Sequence, residues 1–461
     1  MKNQSLYLFP ITLTGIVGSN ALAGNPPQKS RPNIVLMISD DCRRGDFGCY
    51  GSPDAITPNI DRLAEQGMKF NSFFQATAMS SPTRHCLLTG LYPVKSGAYP
   101  NHTFINDGVK TLPYYLKEAG YRVALQGKRH INPEESFPFE YLGTKTDVDT
   151  QLIEPFIADA AKKEEPFFLY VASNDAHSPW TRGDQSLFNP KNLTLPPNLV
   201  DTEVLRKQYA NYLAEINQLD NDLGAVEKLL EKYGLTDNTI FIFTSEQGHQ
   251  FPFAKWTCYD AGLQTGFIVR WKGVIEPSTT VDAMCEYVDV TPTLVDIATG
   301  KTLSGLDGKS FLPILQGKKK EHKEYVYGIQ TTRGIHAGSE YYGSRSVRDV
   351  QYLYINNLTP DAEFKNVVTA KGSKLWTSWN KVAEQDKFAQ QRVEIYQHRP
   401  AEELYDVIAD PFQMNNLAEN KSYDKVRSRL KNKLQTWMKS QGDKGQETEL
   451  EAKKHQWRNQ K

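Results

Sequence analysis

The chain has 461 residues, and its 54 Lys and Arg residues balance 54 Asp and Glu residues, so its formal net charge is zero. This balance argues against a generally basic surface, and we expect neither a nucleic-acid partner nor an anionic membrane partner. The length is enough for one large domain and a smaller one.

The first 23 residues predict a secretory signal peptide. Lys2 supplies a positive charge, residues 6–17 are mostly apolar, and Ala21-Leu22-Ala23 gives a small-x-small cleavage site. The alternative is a disordered N-terminal tail. The apolar run is too short to span a bilayer, and no cysteine stands at the cleavage point to carry a lipid. We therefore expect a periplasmic or secreted protein with no membrane anchor.

The first strand predicted after this leader is the continuous apolar run Asn33–Ser39, which is typical of a strand buried on both faces. It is followed directly by Asp40 and Asp41. Residues 57–67 then predict a helix, with a proline near its start and a glycine at its end.

Residues 79–90 have the pattern of a second helix. Ser80 is able to cap free backbone N–H groups, Pro82 suits a first helical turn, and Gly90 is a natural stop. Arg84 lies one turn after Ser80 and faces the same helix end, where the field favours anions. The spacing fits an anion site, and it fits an ordinary capped helix equally well.

Strands and helices continue to alternate further along the chain. Strands are predicted at residues 121–125, 167–172 and 239–243, and helices at residues 112–119, 153–163 and 204–233. This alternation predicts an α/β fold in which a large, mostly parallel sheet lies between two layers of helices.

Several predicted strands are followed by polar side chains at their carboxyl ends. Asp40 and Asp41 follow the first strand, and the later strands run into three further groups: Lys128 with His130, His177, and Glu246 with Gln247. Ligands of open α/β sheets bind at this edge, so we expect these side chains to lie close together.

The composition changes from about residue 321. A small antiparallel sheet and a closing amphipathic helix are predicted at residues 345–348, 352–355, 402–406 and 423–439, followed by a loose charged tail from residue 441. We therefore divide the chain into a signal peptide at residues 1–23, a catalytic domain at 24–320 and a C-terminal α+β subdomain at 321–461.

Two of the strand ends suggest a metal site. Asp40, Asp41, Glu246 and Gln247 offer only oxygen ligands, a set that suits the hard cations Ca²⁺ and Mg²⁺. The five cysteines lack C-x-x-C spacing, which argues against zinc. A solvated loop is the alternative for each acidic pair.

The segment Ser80-x-Pro82-x-Arg84 followed by Leu88-Thr89-Gly90 resembles the signature of the type I sulfatases. In that family the first position, Cys or Ser, is converted after synthesis to formylglycine. The resemblance covers about residues 31–317, and more loosely the C-terminal region, and it implies an alkaline-phosphatase-like fold. Residues 127–134 and 404–417 are similar to heparan N-sulfatases, although polysaccharide sulfatases share these segments.

The resemblance also implies roles for individual residues. It implies that Asp40, Asp41, Ser80, Glu246 and Gln247 hold a divalent cation. The family has Asp with Asn or His at the second metal pair, so the longer Glu and Gln favour Ca²⁺, although Mg²⁺ also suits the set. Lys128, His130, His177 and Lys255 match further family positions. Lys128, Lys255 and Arg84 are expected to hold the sulfate charge, and either His177 or His130 is expected to protonate the leaving group.

The resemblance implies an exported sulfatase that hydrolyses sulfate esters or N-sulfates of a sulfated oligosaccharide or polysaccharide. A serine-type maturase would convert Ser80. The alternatives are a sulfated-glycan binding protein in which Ser80 stays unmodified, and a phosphoesterase of the same superfamily. Substrate choice is assigned to loops that carry Arg43, Arg44, His102 and His336, although each of these side chains is also explained by simple solvation.

Overall fold

The structure, a computed structural model, describes residues 31–456. The predicted signal peptide lies outside the described residues. Within residues 31–456, no helix is both long enough and apolar enough to cross a membrane.

A large mixed sheet organises the fold. Its strands within the described part of the chain are β1 (Asn33–Ser39), β2 (Met68–Phe74), β3 (Arg122–Gly127), β4 (Glu140–Tyr141), β5 (Phe167–Ala172), β6 (Thr239–Ser245), β7 (Gln264–Arg270), β8 (Thr279–Val281) and β9 (Cys285–Glu286). The order is β4-β3-β5-β1-β6-β7-β2-β8, and β9 pairs with β2. Only β7 runs antiparallel to its neighbours, β6 and β2. The predicted mostly parallel sheet is confirmed.

Helices cover both faces of this sheet. The helices of the described residues are α1 (Pro58–Glu65), α2 (Ser80–Thr89), α3 (Pro93–Ser96), α4 (Leu112–Glu118), α5 (Thr150–Lys163), α6 (Glu203–Lys232), α7 (Asp260–Leu263), α8 (Val290–Thr299), α9 (Leu312–Leu315), α10 (Lys374–Ala383), α11 (Lys387–Gln397), α12 (Asp424–Gln441) and α13 (Gln446–Glu451). Helix α5 begins at Thr150 rather than at residue 153 because the Asp149 side chain caps it, accepting from Gln151 N at 3.0 Å.

The central strand β1 separates two buried clusters. Val35 and Met37 pack with residues of α1, α5 and α6 on one face. Ile34, Leu36 and Ile38 pack with residues of α2, α4 and α8 on the other face. Because alternate side chains of a strand point to opposite faces, a strand between two helical layers must be apolar throughout, which is why this run was readable from the sequence.

A second sheet lies in the C-terminal part of the chain. Its strands are β10 (Val326–Thr331), β11 (Gly343–Arg348), β12 (Tyr352–Asn357) and β13 (Glu402–Asp406), and every pairing is antiparallel. Residues of α12 pack in the same buried cluster as β11 and β12. The predicted antiparallel sheet with its helix is confirmed, while the domain boundary at residue 320 stays a prediction.

The prediction of a loose tail after residue 441 is wrong for the residues described. Asp443 and Glu449 are buried, and both form ion pairs with the buried Arg345 of β11, at 2.5 and 2.8 Å. A buried guanidinium requires charged partners, and this segment supplies them. Asp443 and Glu449 are therefore buried against a charge rather than solvated.

Candidate active site

Two neighbouring parallel strands bring the acidic residues together. Ser39 of β1 pairs with Ser245 of β6, so Asp40 and Asp41 emerge beside Glu246. The backbone N–H of Glu246 donates to Ser39 O at 3.1 Å, which fixes the two strand ends. One oxygen from each of the three carboxylates lies within 4.8 Å of the others, and all three residues are buried.

Helix α2 presents Ser80 to this cluster at its N-terminus. The helix begins at Ser80 and ends at Thr89, and Gly90 follows in the left-handed region with φ 69°, as the sequence predicted. The capping prediction for Ser80 is wrong. Ser80 is the first helical residue, and its hydroxyl donates to Asp40 Oδ1 at 3.2 Å and accepts from Gln247 Nε2 at 3.2 Å. The hydroxyl therefore points at the acidic cluster.

Arg84 stabilises this arrangement through hydrogen bonds to two of its neighbours. It is fully buried, and its Nε donates to Glu246 Oε1 at 2.6 Å while Nη1 donates to the carbonyl of Lys128 at 3.0 Å. Burial lowers the pKa of the guanidinium, but Glu246, Tyr170 and Asp40 together more than offset this and raise it, so the group is a permanent cation. Arg84 faces the helix start as predicted, and it contacts a carboxylate rather than open space.

Two lysines neutralise the aspartates. Lys128 Nζ donates to Asp40 Oδ2, and Lys255 Nζ donates to Asp41 Oδ2 at 2.6 Å. Burial alone would raise the pKa of Asp40, but Lys128, followed by Glu246, holds it well below its usual range. Both lysines also line the cavity that opens above Ser80. Each lysine is thus placed to release its aspartate and to contact an anionic ligand in the cavity instead.

Among the described residues, two oxygen atoms of the acidic cluster accept no hydrogen bond, and they show whether the cluster is suited to a cation. Within residues 31–456, the buried Glu246 Oε2 and Gln247 Oε1 have no hydrogen-bond donor. Burial raises the pKa of Glu246 well above its usual range even though Arg84 opposes the shift. Oxygen atoms with unpaired acceptor capacity around a carboxylate cluster are what a divalent hard cation binds. The residues present fit such an ion.

The two candidate acids have different surroundings. His177 Nδ1 lies 2.7 Å from Ser178 O, which places Nε2 toward Asp41, with its Oδ2 at 3.8 Å. The charge of Lys255, and then burial, lower the pKa of His177. His130 Nε2 lies 3.1 Å from His102 Nδ1, and burial lowers the pKa of His130 well below its usual range. His130 thus already shares a hydrogen bond with a second imidazole.

A cavity of about 1030 Å³ opens above these residues. It is lined by five predicted site residues: Ser80, Lys128, His130, His177 and Lys255. His102 and His336, whose loops were expected to choose the substrate, also line the cavity, together with Arg129. Arg43 and Arg44 line a separate cavity instead, and Arg43 pairs with Asp46 at 3.1 Å.

One wall of the cavity was missed from the sequence. Gln456, near the C-terminus, lines the cavity and donates from Nε2 to Asn101 O at 2.9 Å. Thr103 Oγ1 donates to the carbonyl of the neighbouring His455 at 2.9 Å. These contacts hold the loop that carries His102. No local pattern in the sequence indicates these contacts, because the partners lie about 350 positions apart.

Comparison with known proteins accords with this geometry. Residues 32–301 match the sulfatase family, and residues 248–366 match the C-terminal region of N-sulphoglucosamine sulphohydrolase. The chain is 34% identical to an ulvan-active sulfatase of Formosa agariphila, and the alignment covers 90% of this chain and 81% of the relative. It is 26% identical to the N-sulphoglucosamine sulphohydrolase of Homo sapiens, and the alignment covers 89% of this chain and 90% of the relative.

A solved structure has the same fold. A protein described in complex with its substrate D-glucosamine-2-N,6-O-disulfate superposes with a TM-score of 0.70 at 21% identity, over 90% of this chain and 99% of the other. The similarity confirms the predicted alkaline-phosphatase-like fold class.

Proposed function

The chain belongs to the sulfatase family, a family of sulfuric ester hydrolases, and on that premise we propose that it removes sulfate groups from a sulfated glycan. The observation that supports this most is the position of Ser80. Its hydroxyl lies between Asp40 and Gln247, at a cavity whose wall carries Lys128 and Lys255. A nucleophile, a cluster of oxygen ligands and two cations thus converge at one point.

A saccharide sulfate is the substrate class that the cavity favours. One of the relatives named above is an ulvan-active sulfatase, and the other is named for sulphoglucosamine. The volume of about 1030 Å³ is enough for a sugar with its sulfate, and Arg129 adds a third cation to the lining. Both a sulfate ester and an N-sulfate meet these requirements.

The residues proposed to hold a divalent cation are Asp40, Asp41, Glu246, Gln247 and the modified Ser80. When bound, such an ion would supply Lewis-acid stabilisation of the charge on the sulfate oxygens and on the nucleophile. The orphaned acceptors on Glu246 and Gln247 support this assignment. Their long side chains favour the larger, flexibly coordinated Ca²⁺ over Mg²⁺.

We propose that Ser80 is converted to formylglycine, whose hydrate would supply a nucleophilic hydroxyl and a route for releasing sulfate. Asp40 accepts the hydrogen bond of the Ser80 hydroxyl at 3.2 Å, so a carboxylate stands where a nucleophile needs a proton acceptor. Lys128 and Lys255 would hold the oxygens of the sulfate group, releasing the aspartates that they contact.

His177 is the better-supported proton donor for the leaving oxygen or nitrogen. Its Nδ1 is fixed by the carbonyl of Ser178, which leaves Nε2 on the cavity side near Asp41 and Lys255. His130 is the weaker candidate for the proton donor, because its Nε2 already shares a hydrogen bond with His102 Nδ1. Export by a signal peptide at residues 1–23, with the serine-type maturase as partner, remains part of this proposal.

The test compares the protein made with and without a serine-type maturase. Conversion of the Ser80 hydroxymethyl group to an aldehyde removes two hydrogen atoms, and the mass of the peptide that contains Ser80 reports it. We expect the converted protein to desulfate members of a panel of defined sulfated saccharides and to leave phosphate esters essentially uncleaved.

Full turnover by protein with unmodified Ser80 would contradict the formylglycine proposal. Binding of sulfated saccharides without any turnover of the converted protein would favour a binding protein. Preferential cleavage of an aryl phosphate over the matched aryl sulfate would favour a phosphoesterase.

A further inference from the structure

A second depression adjoins the active-site cavity. This groove has a volume of about 370 Å³, within the range of about 300–1,000 Å³ that small-ligand pockets have. Ser178, Gln250 and Val367 line both the cavity and the groove. Ser178 Oγ donates to Gln250 Oε1 at 2.9 Å, so one hydrogen-bonded pair forms the border between them.

The border lies beside the proposed acid. Ser178 O is the acceptor that orients the His177 ring, at 2.7 Å from Nδ1. In the proposed reaction, His177 protonates the atom that links the sulfate to its sugar. The sugar that leaves therefore lies next to His177, and a unit attached to that sugar enters the groove if it extends past Ser178 and Gln250.

The groove differs from the cavity in charge. Lys128, Arg129 and Lys255 line the cavity, whereas no charged side chain lines the groove among the residues that the structure describes. A sulfate or carboxylate placed in the groove would lose hydration without meeting a cation. The groove therefore suits an uncharged ligand.

Helix α6 presents two uncommitted amides to the groove. Gln208 and Asn211 are one turn apart and line it together. Both are only partly exposed, and within residues 31–456 neither side chain makes a hydrogen bond to the protein. An amide offers both donors and an acceptor, which is the combination that adjacent sugar hydroxyls require.

The lining of the groove also includes apolar side chains in fixed positions. Trp180 lines the groove, donates from Nε1 to Ala176 O at 2.9 Å, and stacks on Phe251 with ring centroids 4.9 Å apart. Val367 and Leu375 add aliphatic surface. A lining that combines rigid aromatic and aliphatic groups with amides matches the C–H and O–H surfaces of a pyranose ring.

We propose that this groove is a binding subsite for an uncharged sugar unit attached to the sulfated one. The inference rests on the proposed function, and it adds that the preferred substrate is an oligosaccharide whose neighbouring unit carries neither sulfate nor carboxylate. Gln208 and Asn211 are its specificity-determining residues.

The experiment measures kcat/KM of the converted protein on a sulfated monosaccharide and on two disaccharides that extend it. One disaccharide carries a neutral sugar and the other carries a uronic acid at the same linkage. We expect the neutral disaccharide to be cleaved about 25-fold better than the monosaccharide, because two neutral hydrogen bonds, one from each amide, are worth about fivefold each. The uronic acid disaccharide is expected to show no such gain.

The matched variants are Gln208→Ala/Asn211→Ala and Asn221→Ala. Asn221 is an exposed amide of the same helix that does not line the groove. The double variant should lose the gain on the neutral disaccharide and keep the wild-type kcat/KM on the monosaccharide, which also verifies that it is folded. The Asn221→Ala variant should behave as wild type.

Equal kcat/KM of the wild type on the monosaccharide and the neutral disaccharide would overturn the subsite while leaving the sulfatase proposal standing. An equal gain on both disaccharides would overturn the preference for an uncharged unit. Equal losses in the double variant on all substrates would show that the two amides act on the fold rather than on a subsite. No turnover of any sulfated saccharide would contradict the proposed function itself.

Discussion

Ser80 and the two lysines beside it carry much of the chemistry proposed here. Lys128 and Lys255 each contact a different aspartate, and each lines the cavity. Because they are held in place before the substrate binds, little reorganisation accompanies their transfer to sulfate oxygens.

Replacing Lys128 or Lys255 by Ala is expected to slow all sulfated substrates by comparable factors. The loss of one preorganised donor costs about 10²–10³ in rate. The check is kcat/KM for an aryl sulfate and for a saccharide sulfate, with Lys117→Ala as the control, since Lys117 is an exposed lysine of α4 that does not line the cavity. A loss confined to one substrate class would contradict charge clamping.

His177→Ala is expected to distinguish acid catalysis from clamping. A saccharide sulfate has a poor leaving group and should lose most of its turnover, whereas an activated aryl sulfate needs little protonation and should be partly spared. His130→Ala measured on the same pair of substrates provides the comparison. If both substrates fall equally in His177→Ala, His177 is a sulfate clamp and His130 becomes the better candidate acid.

At the scale of elements, the C-terminal segment of residues 443–456 packs against the fold and contributes Gln456 to the cavity lining. The buried Arg345 pairs with Asp443 and Glu449, which holds the segment against β11. The segment in turn contacts the loop at residues 101–103. His102 in that loop has φ 55°, a conformation that costs energy for a residue other than glycine and persists only where contacts enforce it.

The combined change Thr103→Val and Gln456→Ala is expected to lower kcat several-fold with only a modest loss of stability. It removes the hydrogen bonds to His455 O and Asn101 O, each worth about 1 kcal/mol, and loosens the loop that holds His102 against His130. Saccharide kinetics and thermal unfolding provide the measurements. The control is Glu447→Ala, an exposed change in the same segment. An unchanged kcat would show that the segment has no positioning role.

Helix α6 also carries a pH-sensitive contact. Glu215 is buried and accepts hydrogen bonds from the backbone N–H groups of Thr181 and Arg182, at 2.6 and 3.0 Å. Burial raises the pKa of Glu215 to about 7. A raised folded pKa means that the stability from this group is present below about pH 4.5, its ordinary value, and is lost as the pH rises through 7.

Glu215→Gln is therefore expected to increase the free energy of unfolding relative to wild type at pH 8 and to lose this advantage at pH 5. The amide keeps an acceptor for the two N–H groups without the buried charge. Urea unfolding at the two pH values measures the difference. Glu231→Gln, an exposed change on the same helix, should show no pH-dependent effect. A larger benefit at pH 5 than at pH 8 would contradict the raised pKa.

At the scale of the whole molecule, the proposed cation would tie the ends of β1 and β6 to the start of α2. A ligand that binds only the folded state raises its stability, by about 2.7 kcal/mol when its concentration is 100 times its Kd. Cation binding should therefore be visible in the unfolding of the entire fold.

Chelation is expected to abolish activity and to lower the Tm, and Ca²⁺ is expected to restore both better than Zn²⁺ because every proposed ligand is an oxygen. Glu246→Ala should lower metal content. It should also destabilise the fold by about 3–5 kcal/mol, since it removes the carboxylate that the buried Arg84 contacts at 2.6 Å. Normal metal content in this variant would show that the second metal pair is assigned wrongly.

The sequence by itself determined the parts of the fold that depend on neighbouring residues. Strands β1 and β5 match the predicted limits because a strand buried on both faces is apolar at every position. The rule that parallel strands end at a common edge was enough to bring Asp40 and Asp41 beside Glu246.

Only the tertiary structure decided which partner each polar group has. Ser80 contacts Asp40 instead of capping its helix, and Arg345 pairs with residues about a hundred positions away in the sequence. The wall formed by Gln456 and the groove beside His177 are likewise assembled from distant segments. A periodic pattern reports which side of an element is buried, whereas burial and charge pairing depend on three-dimensional neighbours that no local pattern records.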